Sequence, residues 1–181
     1  VPKKTQKHTD LFPQVERPNA EPKVIPSIQE WYGYNGDVKL GKDSRIIVKD
    51  NGNVNAEKVA KQFQKDMKEI TGMELEIVSG QSGDANDIVI ESLKKDIYSL
   101  GDEGYLLQAD DKGIHITANG YNGCLYGAMT LEQVFYTQKG EFIFPKGVAR
   151  DFSKYEVRGV MIDIARTPYR MDALEDIVKA L

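Results

Sequence analysis

Two pairs of adjacent carboxylates are the first residues in this sequence that could carry chemistry, because hydrolytic sites often use one carboxyl group as an acid and another as a base. Asp102-Glu103 stands before Gly104 at the entrance of a strand-like run, and Asp110-Asp111 stands before a lysine and a glycine. A general acid needs burial or a neighbouring charge that raises its pKa, and nothing around the first pair indicates either. We therefore expect the first pair to be non-catalytic and the second to form a turn.

A second group of charged residues lies in the stretch YEVRGVMIDIAR, residues 155–166, where Arg158, Asp163 and Arg166 interrupt an apolar run. The run predicts a strand over residues 157–164, and its apolar neighbours predict that Asp163 is buried. A buried carboxylate needs a partner. Arg158, Arg166 or a backbone N–H group are the candidates, and a role in binding a ligand stays open beside this structural one.

Other reactive side chains are few. The chain has one cysteine and two histidines, so no disulfide can form within it and no zinc or iron–sulfur spacing is present. We expect Cys124 to be a small core residue, His115 to lie at the surface or at a sheet edge, and no metal or other cofactor to bind. Trp31, Tyr32 and Tyr34 could stack on a sugar ring, but packing against the sheet is the preferred interpretation.

Composition and charge exclude some partners. The chain has 181 residues, of which 40% are hydrophobic and 29% charged, and a net charge of −4. These values are typical of a globular domain and give no basic surface for nucleic acid or for an anionic membrane. No apolar run approaches the ~18 residues of a membrane-spanning helix. Low cysteine usage fits both cytosolic and secreted proteins, so composition leaves the compartment open.

The order of predicted elements is that of an α+β domain. The sequence first predicts an extended, proline-punctuated arm over residues 1–21, then short strands at 24–25, 38–40 and 46–48, with a Tyr-Asn-Gly turn at 34–36. An amphipathic helix follows between the N-cap Asn55 and Gly72, and strands are predicted within 73–79 and 86–93. A hairpin over 103–118 precedes a second helix from about 122 to 137, with Cys124 and Met129 on a wide apolar arc. We expect a mixed β-sheet with two helices packed on one face.

After this domain the sequence predicts the start of another. A helix follows the strand-like run, with Asp172 as N-cap and Glu175 placed for a capping box. Its apolar stripe needs a partner surface, and comprises Leu174, Ile177, Val178 and Leu181. We therefore expect an N-terminal arm at 1–21, a domain at 22–150, and a truncated second domain at 151–181.

Two segments resemble the bacterial-type β-N-acetylhexosaminidases of glycoside hydrolase family 20. The segment EGYLLQADDKGIHITANGYNGCLYGAMTLEQVF, residues 103–135, is similar to the end of their non-catalytic N-terminal domain, with its Glu-Gly-Tyr opening, its hairpin and a helix of the type Tyr-Gly-x-x-Thr-Leu-x-Gln. The segment YEVRGVMIDIAR resembles their first catalytic-barrel strand, Arg-Gly-x-Met-x-Asp-x-x-Arg. The two segments occur in the order and spacing of the family.

The resemblance implies an exo-acting enzyme that removes terminal β-linked GlcNAc or GalNAc from glycans and is secreted or displayed at the cell surface. Its catalytic domain would be a (β/α)₈ barrel that begins at residue 151, and its chemistry would be substrate-assisted with retention of configuration. The catalytic Asp-Glu pair is then expected beyond Leu181, so this chain has no catalytic residue and is expected to be inactive. Its own task would be to support the barrel as an intramolecular partner.

The resemblance also implies a sugar-binding role for Arg158, whose forked guanidinium would hold two neighbouring hydroxyls, and more weakly for Asp163. Barrel active sites lie at the C-terminal ends of strands, whereas Arg158 starts the run. The sequence departs from the family after Arg166, where Thr167-Pro168 and a tyrosine replace the usual His-Phe and are similar to a loop of family 84.

Alternatives remain at this stage. The domain could be a carbohydrate-binding or docking module in its own right. It could also be the accessory domain of another glycosidase family, such as family 84, an α-glucuronidase or an α-N-acetylglucosaminidase. Affinity of the isolated chain for a glycan would separate a binding module from a supporting domain.

Overall fold

The computed structural model describes residues 18–80, 83–136, 142–166 and 168–180. Strands and helices follow the chain in the order β1 Glu30–Lys39, β2 Arg45–Asp50, α1 Ala56–Thr71, β3 Glu76–Ser79, β4 Ile88–Ser92, β5 Tyr105–Asp110, β6 Gly113–Ala118, α2 Tyr121–Tyr136, β7 Ile143–Asp151 and α3 Met171–Ala180. Among these residues, no helix has the length and apolar character that a membrane span requires.

The seven strands form one mixed sheet with the order β1-β7-β5-β6-β4-β2-β3. β2, β3, β4 and β6 run parallel to one another, while β5 pairs antiparallel with β6 and β7, and β7 with β1. α1 and α2 pack against each other and on the same face of the sheet. The predicted mixed sheet with two helices on one face is therefore confirmed.

The core lies between this face and the two helices. Phe63 and Met67 of α1 and Phe135 of α2 are almost completely buried among the strands' isoleucines. Burial of each such side chain stabilises the fold by roughly 1.5–3 kcal/mol. Cys124 is buried as predicted, but Met129 is 46% exposed, so the apolar arc of α2 is narrower than expected.

The start of α1 was predicted at the correct residue with the wrong capping group. Asn55 is the N-cap, but its backbone is left-handed and its side chain makes no capping hydrogen bond. The carboxylate of Asp50 caps the helix, because it accepts from the backbone N–H groups of Val54 at 2.9 Å and Ala56 at 3.2 Å. Gly72 ends the helix in the left-handed conformation, as predicted.

Near the edge of the sheet, two predictions were wrong and one strand was missed. Residues 24–25 form no strand, and residues 34–36 are no turn between strands but an irregularity inside β1, where its register with β7 shifts between Gly33 and Asp37. β7, which was not predicted as a strand, lies between β1 and β5 in the sheet.

The segment before β1 packs on this irregular strand. The N–H of Asn19 donates to the carbonyl of Tyr34 at 2.9 Å, and the indole Nε1 of Trp31 donates to the carbonyl of Asn19 at 3.0 Å. A Cβ atom at Gly33 would lie 2.1 Å from that same carbonyl oxygen, so only glycine fits. Packing is thus confirmed as the role of Trp31, while residues 1–17 of the predicted arm lie outside the described residues.

The predicted strand at 157–164 is absent, although the structure describes all of these residues. A strand is stabilised by hydrogen bonds to a neighbouring strand and by burial of its side chains. Here Val157 is 88% exposed and Met161 is 97% exposed. The residues of this run are mostly apolar, but they pair with no strand of the described sheet.

The last predicted helix is present as α3, with a different start. It begins at Met171, one residue before the predicted cap. The carboxylate of Asp172 accepts from the guanidinium of Arg170 and from the N–H of Ala173, so the predicted capping box does not form. Ile177 of the predicted stripe is half-buried, Val178 is 72% exposed, and Leu181 lies outside the described residues.

Candidate functional site

Arg158 is held by a carboxylate that lies 55 positions earlier in the chain. Its Nη2 donates to both carboxylate oxygens of Glu103 at 2.9 Å, and its Nη1 donates to the backbone carbonyl of Tyr155 at 2.7 Å. The side chains of Arg158 and Glu103 are 45% and 31% exposed. The hydrogen bond from Arg158 and a second from Ser153 hold the pKa of Glu103 below its ordinary value, and Glu103 raises the pKa of Arg158.

Asp163 lies at the surface, so its predicted burial is wrong. Its side chain is 56% exposed. Its Oδ1 accepts from the backbone N–H groups of Ala165 at 2.9 Å and Arg166 at 3.1 Å, and its Oδ2 lies 3.6 Å from Nε of Arg166. Arg166 and backbone donors, two of the three predicted kinds of partner, are therefore its contacts. Arg158 and Asp163 are held by different groups, and the structure does not bring them into one binding site.

A partly buried polar cluster begins at Tyr105, two positions after Glu103. The hydroxyl of Tyr105, the first residue of β5, lies 2.6 Å from the Thr130 hydroxyl on α2 and donates to Asp151 at the end of β7 over 3.1 Å. The other carboxylate oxygen of Asp151 accepts from the N–H of Gln29 at 3.1 Å. Burial raises the pKa of both Tyr105 and Asp151. This cluster joins three elements at the point where the chain leaves the sheet.

Gln133 gives the helix motif a structural role that sequence reasoning missed. Its Oε1 accepts from the N–H of Ile25 at 2.8 Å, and its Nε2 donates to the carbonyl of the same residue at 3.0 Å. The side-chain amide thereby pairs with the backbone of the segment before β1 as a neighbouring strand would. Its place in the Thr-Leu-x-Gln motif marked Gln133 as a residue of interest, but the sequence could not identify its partner, which lies 108 positions away.

Three residues of the two adjacent carboxylate pairs, Glu103, Asp110 and Asp111, make an ion pair or a turn contact. Glu103 is ion-paired and has a lowered pKa, which opposes a role as proton donor at neutral pH. In the second pair, Asp110 accepts from the N–H of Lys112 at 2.8 Å within the turn, and Asp111 binds the ammonium group of Lys146 at 2.7 Å. The described residues also contain no cluster of three or more His, Cys, Asp or Glu that could hold a metal ion.

Glu132 is a titratable residue that the sequence did not single out. Burial, and secondarily the charge of Asp66, raise its pKa to about 7. It lies on α2, and Asp66 lies on α1, so a carboxyl group is held at the interface of the two helices. This raised pKa predicts a pH-dependent contribution of Glu132 to stability.

A polar cleft of 660 Å³ lies at the carboxyl ends of β2 and β3. Its lining includes the short polar residues Asn51, Asn53, Asn55 and Ser79. Asp50 also borders it, but its carboxylate is occupied by the start of α1 and by the Ser92 hydroxyl at 2.6 Å. Lys49 and Glu57 add a charged group of each sign to the lining, so the cleft offers both hydrogen-bonding and charged groups.

The model of glycosyl hydrolase family 20, domain 2, matches residues 21–152 of this chain. A lacto-N-biosidase of Bifidobacterium bifidum is 25% identical over 142 residues, which cover 78% of this chain and 12% of that protein. Beta-hexosaminidase 1 of Coccidioides posadasii is 38% identical over 82 residues, 44% of this chain and 14% of that protein. The structure of the GH20 beta-N-acetylhexosaminidase from Streptomyces coelicolor A3(2) superposes with a TM-score of 0.72 at 23% identity and covers 89% of this chain and 33% of that chain.

Proposed function

Since this chain belongs to glycosyl hydrolase family 20, whose relatives here are glycoside hydrolases, we propose that it is part of an exo-acting β-N-acetylhexosaminidase. The match of the domain 2 model to residues 21–152 is the observation that carries this proposal. The chain spans 12% and 14% of the two curated relatives described above. The proposed substrates are glycans with terminal β-linked GlcNAc or GalNAc, and the proposed location is outside the cell or at its surface.

We further propose that the domain at about 22–150 supports a catalytic barrel that begins at about residue 151. Structural contacts near the end of this domain support the proposal: Glu103 lies in an ion pair, and Tyr105 and Asp151 lie in one hydrogen-bonded cluster. The reaction itself, in which the acetamido group of the substrate attacks the anomeric carbon, is assigned to an Asp-Glu pair outside these 181 residues. The chain alone is therefore proposed to be inactive.

The sugar-binding role expected for Arg158 and Asp163 stays a prediction. In the structure both side chains are already engaged by protein groups, and Arg166 is a second candidate for the same role. Arg158 would have to exchange Glu103 for substrate hydroxyls. Arg166 has a side chain that is 91% exposed and follows the apolar run, as a binding residue at the C-terminal end of a barrel strand would. Comparison of Arg158→Ala with Arg166→Ala in an active enzyme separates the two, because loss of a sugar contact raises KM.

Hydrolysis of a chromogenic β-GlcNAc substrate tests the proposal. Two proteins are compared: these 181 residues, and the natural chain extended by the roughly 300 residues that a barrel with its insertions occupies. We expect turnover by the extended protein only. Turnover by the 181 residues would overturn the supporting role, and an extended protein without turnover would overturn the assignment as a β-N-acetylhexosaminidase.

A second candidate, a carbohydrate-binding module, is favoured by the polar cleft at the ends of β2 and β3. Its amide side chains could accept and donate hydrogen bonds to sugar hydroxyls. Titration of GlcNAc into the ¹⁵N-labelled chain tests this function. Saturable shifts at Asn51 and Asn53 that an Asn53→Ala variant abolishes would support a binding module, and their absence at millimolar sugar would reject it.

A further inference from the structure

We propose that Asn35 is a site of spontaneous covalent modification, at which the side-chain amide becomes a carboxylate and part of the product carries an altered main chain. The chain contains four Asn-Gly pairs, at positions 35–36, 51–52, 119–120 and 122–123. In such a pair the backbone nitrogen of the glycine can attack the asparagine side chain, because glycine has no Cβ atom to hinder the approach. Of the four, only the first combines an exposed, unpaired side chain with an irregular backbone.

The reaction needs only water as a second reactant. The nitrogen of Gly36 loses its proton and bonds to Cγ of Asn35, the bond from Cγ to the side-chain nitrogen breaks, and that nitrogen takes up protons and leaves as ammonium. Water then opens the cyclic succinimide at either of its carbonyl carbons. One opening gives aspartate, and the other gives isoaspartate, whose main chain runs through the former side chain. The sum is amide and water to carboxylate and ammonium, with no transfer of electrons.

Asn35 lies where β1 is irregular. The register of β1 with β7 shifts there, and residues 34–36 stand opposite Lys146 alone. Asn35 and Gly36 are both exposed, and Gly36 has a left-handed backbone with a φ of +80°. Within the described part of the chain, the Asn35 side chain makes no hydrogen bond. No contact therefore holds its amide away from the nitrogen of Gly36.

The pair at 51–52 has the same sequence but is held by hydrogen bonds. Nδ2 of Asn51 donates to Glu91 at 3.0 Å, and the nitrogen of Gly52, which would be the nucleophile, donates to the Ser92 hydroxyl at 2.8 Å. Both bonds must open before this nitrogen can attack. We therefore expect conversion to be slower there than at Asn35 by a factor of about five or more.

The other two pairs are held by packing and by helix geometry. Oδ1 of Asn119 is buried, and a Cβ atom at Gly120 would lie 2.4 Å from the carbonyl oxygen of Asp102. Asn122 and Gly123 lie in the first turn of α2, and Gly123 is buried. Side chains of a helix point back toward its N-terminus, which keeps the Asn122 amide away from the nitrogen of the following residue.

The modification would act on the segment before β1. The N–H of Asn19 donates to the carbonyl of Tyr34 at 2.9 Å, and its Nδ2 donates to the carbonyl of Gly36 at 2.6 Å. These two carbonyls flank Asn35. Isoaspartate at this position lengthens the main chain between them, so Asn19 can no longer bind both in the present geometry. Modification of Asn35 therefore loosens the attachment of this segment to the sheet.

Peptide mapping of aged protein tests the modification. Folded and urea-unfolded protein are incubated at pH 8, where the glycine nitrogen loses its proton more readily than at pH 5, and each Asn-Gly pair is followed by mass spectrometry against synthetic aspartyl and isoaspartyl peptides. We expect Asn35 to convert first in the folded protein, to both products, and the four pairs to convert at similar rates in urea. Conversion of any other pair as fast as Asn35 in the folded protein would overturn the proposal.

Hydrogen exchange at the Asn19 amide, measured by NMR, tests the consequence. Asn35→Gln removes the reactive pair, because the longer side chain forms the corresponding ring far less readily, and Asn51→Gln is the matched control. We expect ageing to lower the protection of this amide by a factor of about five or more in the wild type and in Asn51→Gln, and to leave it unchanged in Asn35→Gln. Protection that survives complete conversion, or that is lost in aged Asn35→Gln, would overturn the loosening. Neither measurement depends on hydrolase activity.

Discussion

Replacement of Glu132 by glutamine should stabilise the protein at pH 8 and leave its stability almost unchanged at pH 4.5. Burial holds the pKa of Glu132 at about 7 in the folded protein, against an ordinary value of 4.5. A group whose pKa is raised on folding contributes stability below its unfolded pKa, and that contribution is lost as the pH rises through the folded value. The wild type should therefore lose stability between about pH 4.5 and pH 7.

The size of the effect follows from the shift. At 1.36 kcal/mol for each pKa unit, a difference of roughly 2.5 units sets an upper bound of about 3 kcal/mol. The carboxyl group is only partly buried, so solvent reduces this to about 1–2 kcal/mol. Glutamine has nearly the same shape and carries no charge, and it should recover that amount at pH 8. For a chain of this size, each kcal/mol corresponds to a rise in Tm of about 2–4 °C.

Urea denaturation from pH 4.5 to pH 8 measures the effect. The free energy of unfolding of Glu132→Gln should exceed that of the wild type by an amount that grows with pH and levels off above pH 7. Glu69→Gln, at an exposed position on α1, serves as the control and should show no such growth. A pH-independent difference, or a variant that is less stable than the wild type at pH 8, would refute the reasoning.

Three further predictions concern the close packing at Gly104, the cap of α1 and the burial of Cys124. Gly104→Ala should destabilise the fold by about 1–3 kcal/mol in urea, because the new methyl group meets the carbonyl of Leu100, whereas Gly41→Ala, with open space around it, should change stability by less than about 0.5 kcal/mol. Asp50→Ala should cost about 1–2 kcal/mol through the loss of the helix cap. Burial works against the charged form of Asp50, but its hydrogen bonds lower the pKa, so the loss should be full at pH 7 and shrink as the pH falls below about 4. Cys124, whose pKa burial raises to about 12, should react with a thiol reagent in urea and hardly at all in the native state at pH 8; equal rates would contradict its burial.

The elements that the sequence predicted are those whose signal is local. The apolar spacing of α1 and the Gly72 stop require only neighbouring residues, and so does the hairpin turn at residues 110–113. β7 was missed because Pro145 and Gly147 interrupt it. In the structure Pro145 lies opposite Asp37, beside the irregularity of β1, and Gly147 lies against the Trp31 ring. Both residues are therefore tolerated in the strand because of their partners in β1, which the local sequence does not show.

The candidate site was predictable only in its parts. Arg158 was found as a motif residue and Glu103 was set aside as a catalytic group, but their contact joins positions 103 and 158 and has no local signature. Asp163 was expected to be buried because its neighbours are apolar. Apolar character predicts burial only where a sheet or helix covers the residue, and none does so at this point of the described chain.

The central claim, that this chain is part of a β-N-acetylhexosaminidase with substrate-assisted chemistry, is tested most directly by comparing two substrates of the extended natural protein. They are the chromogenic β-glycosides of N-acetylglucosamine and of glucose, which differ in the acetamido group that the proposed mechanism requires. We expect kcat/KM for the first to exceed that for the second by a factor of at least ~10³, since the nucleophile is missing from glucose. Comparable rates on both substrates would contradict the account.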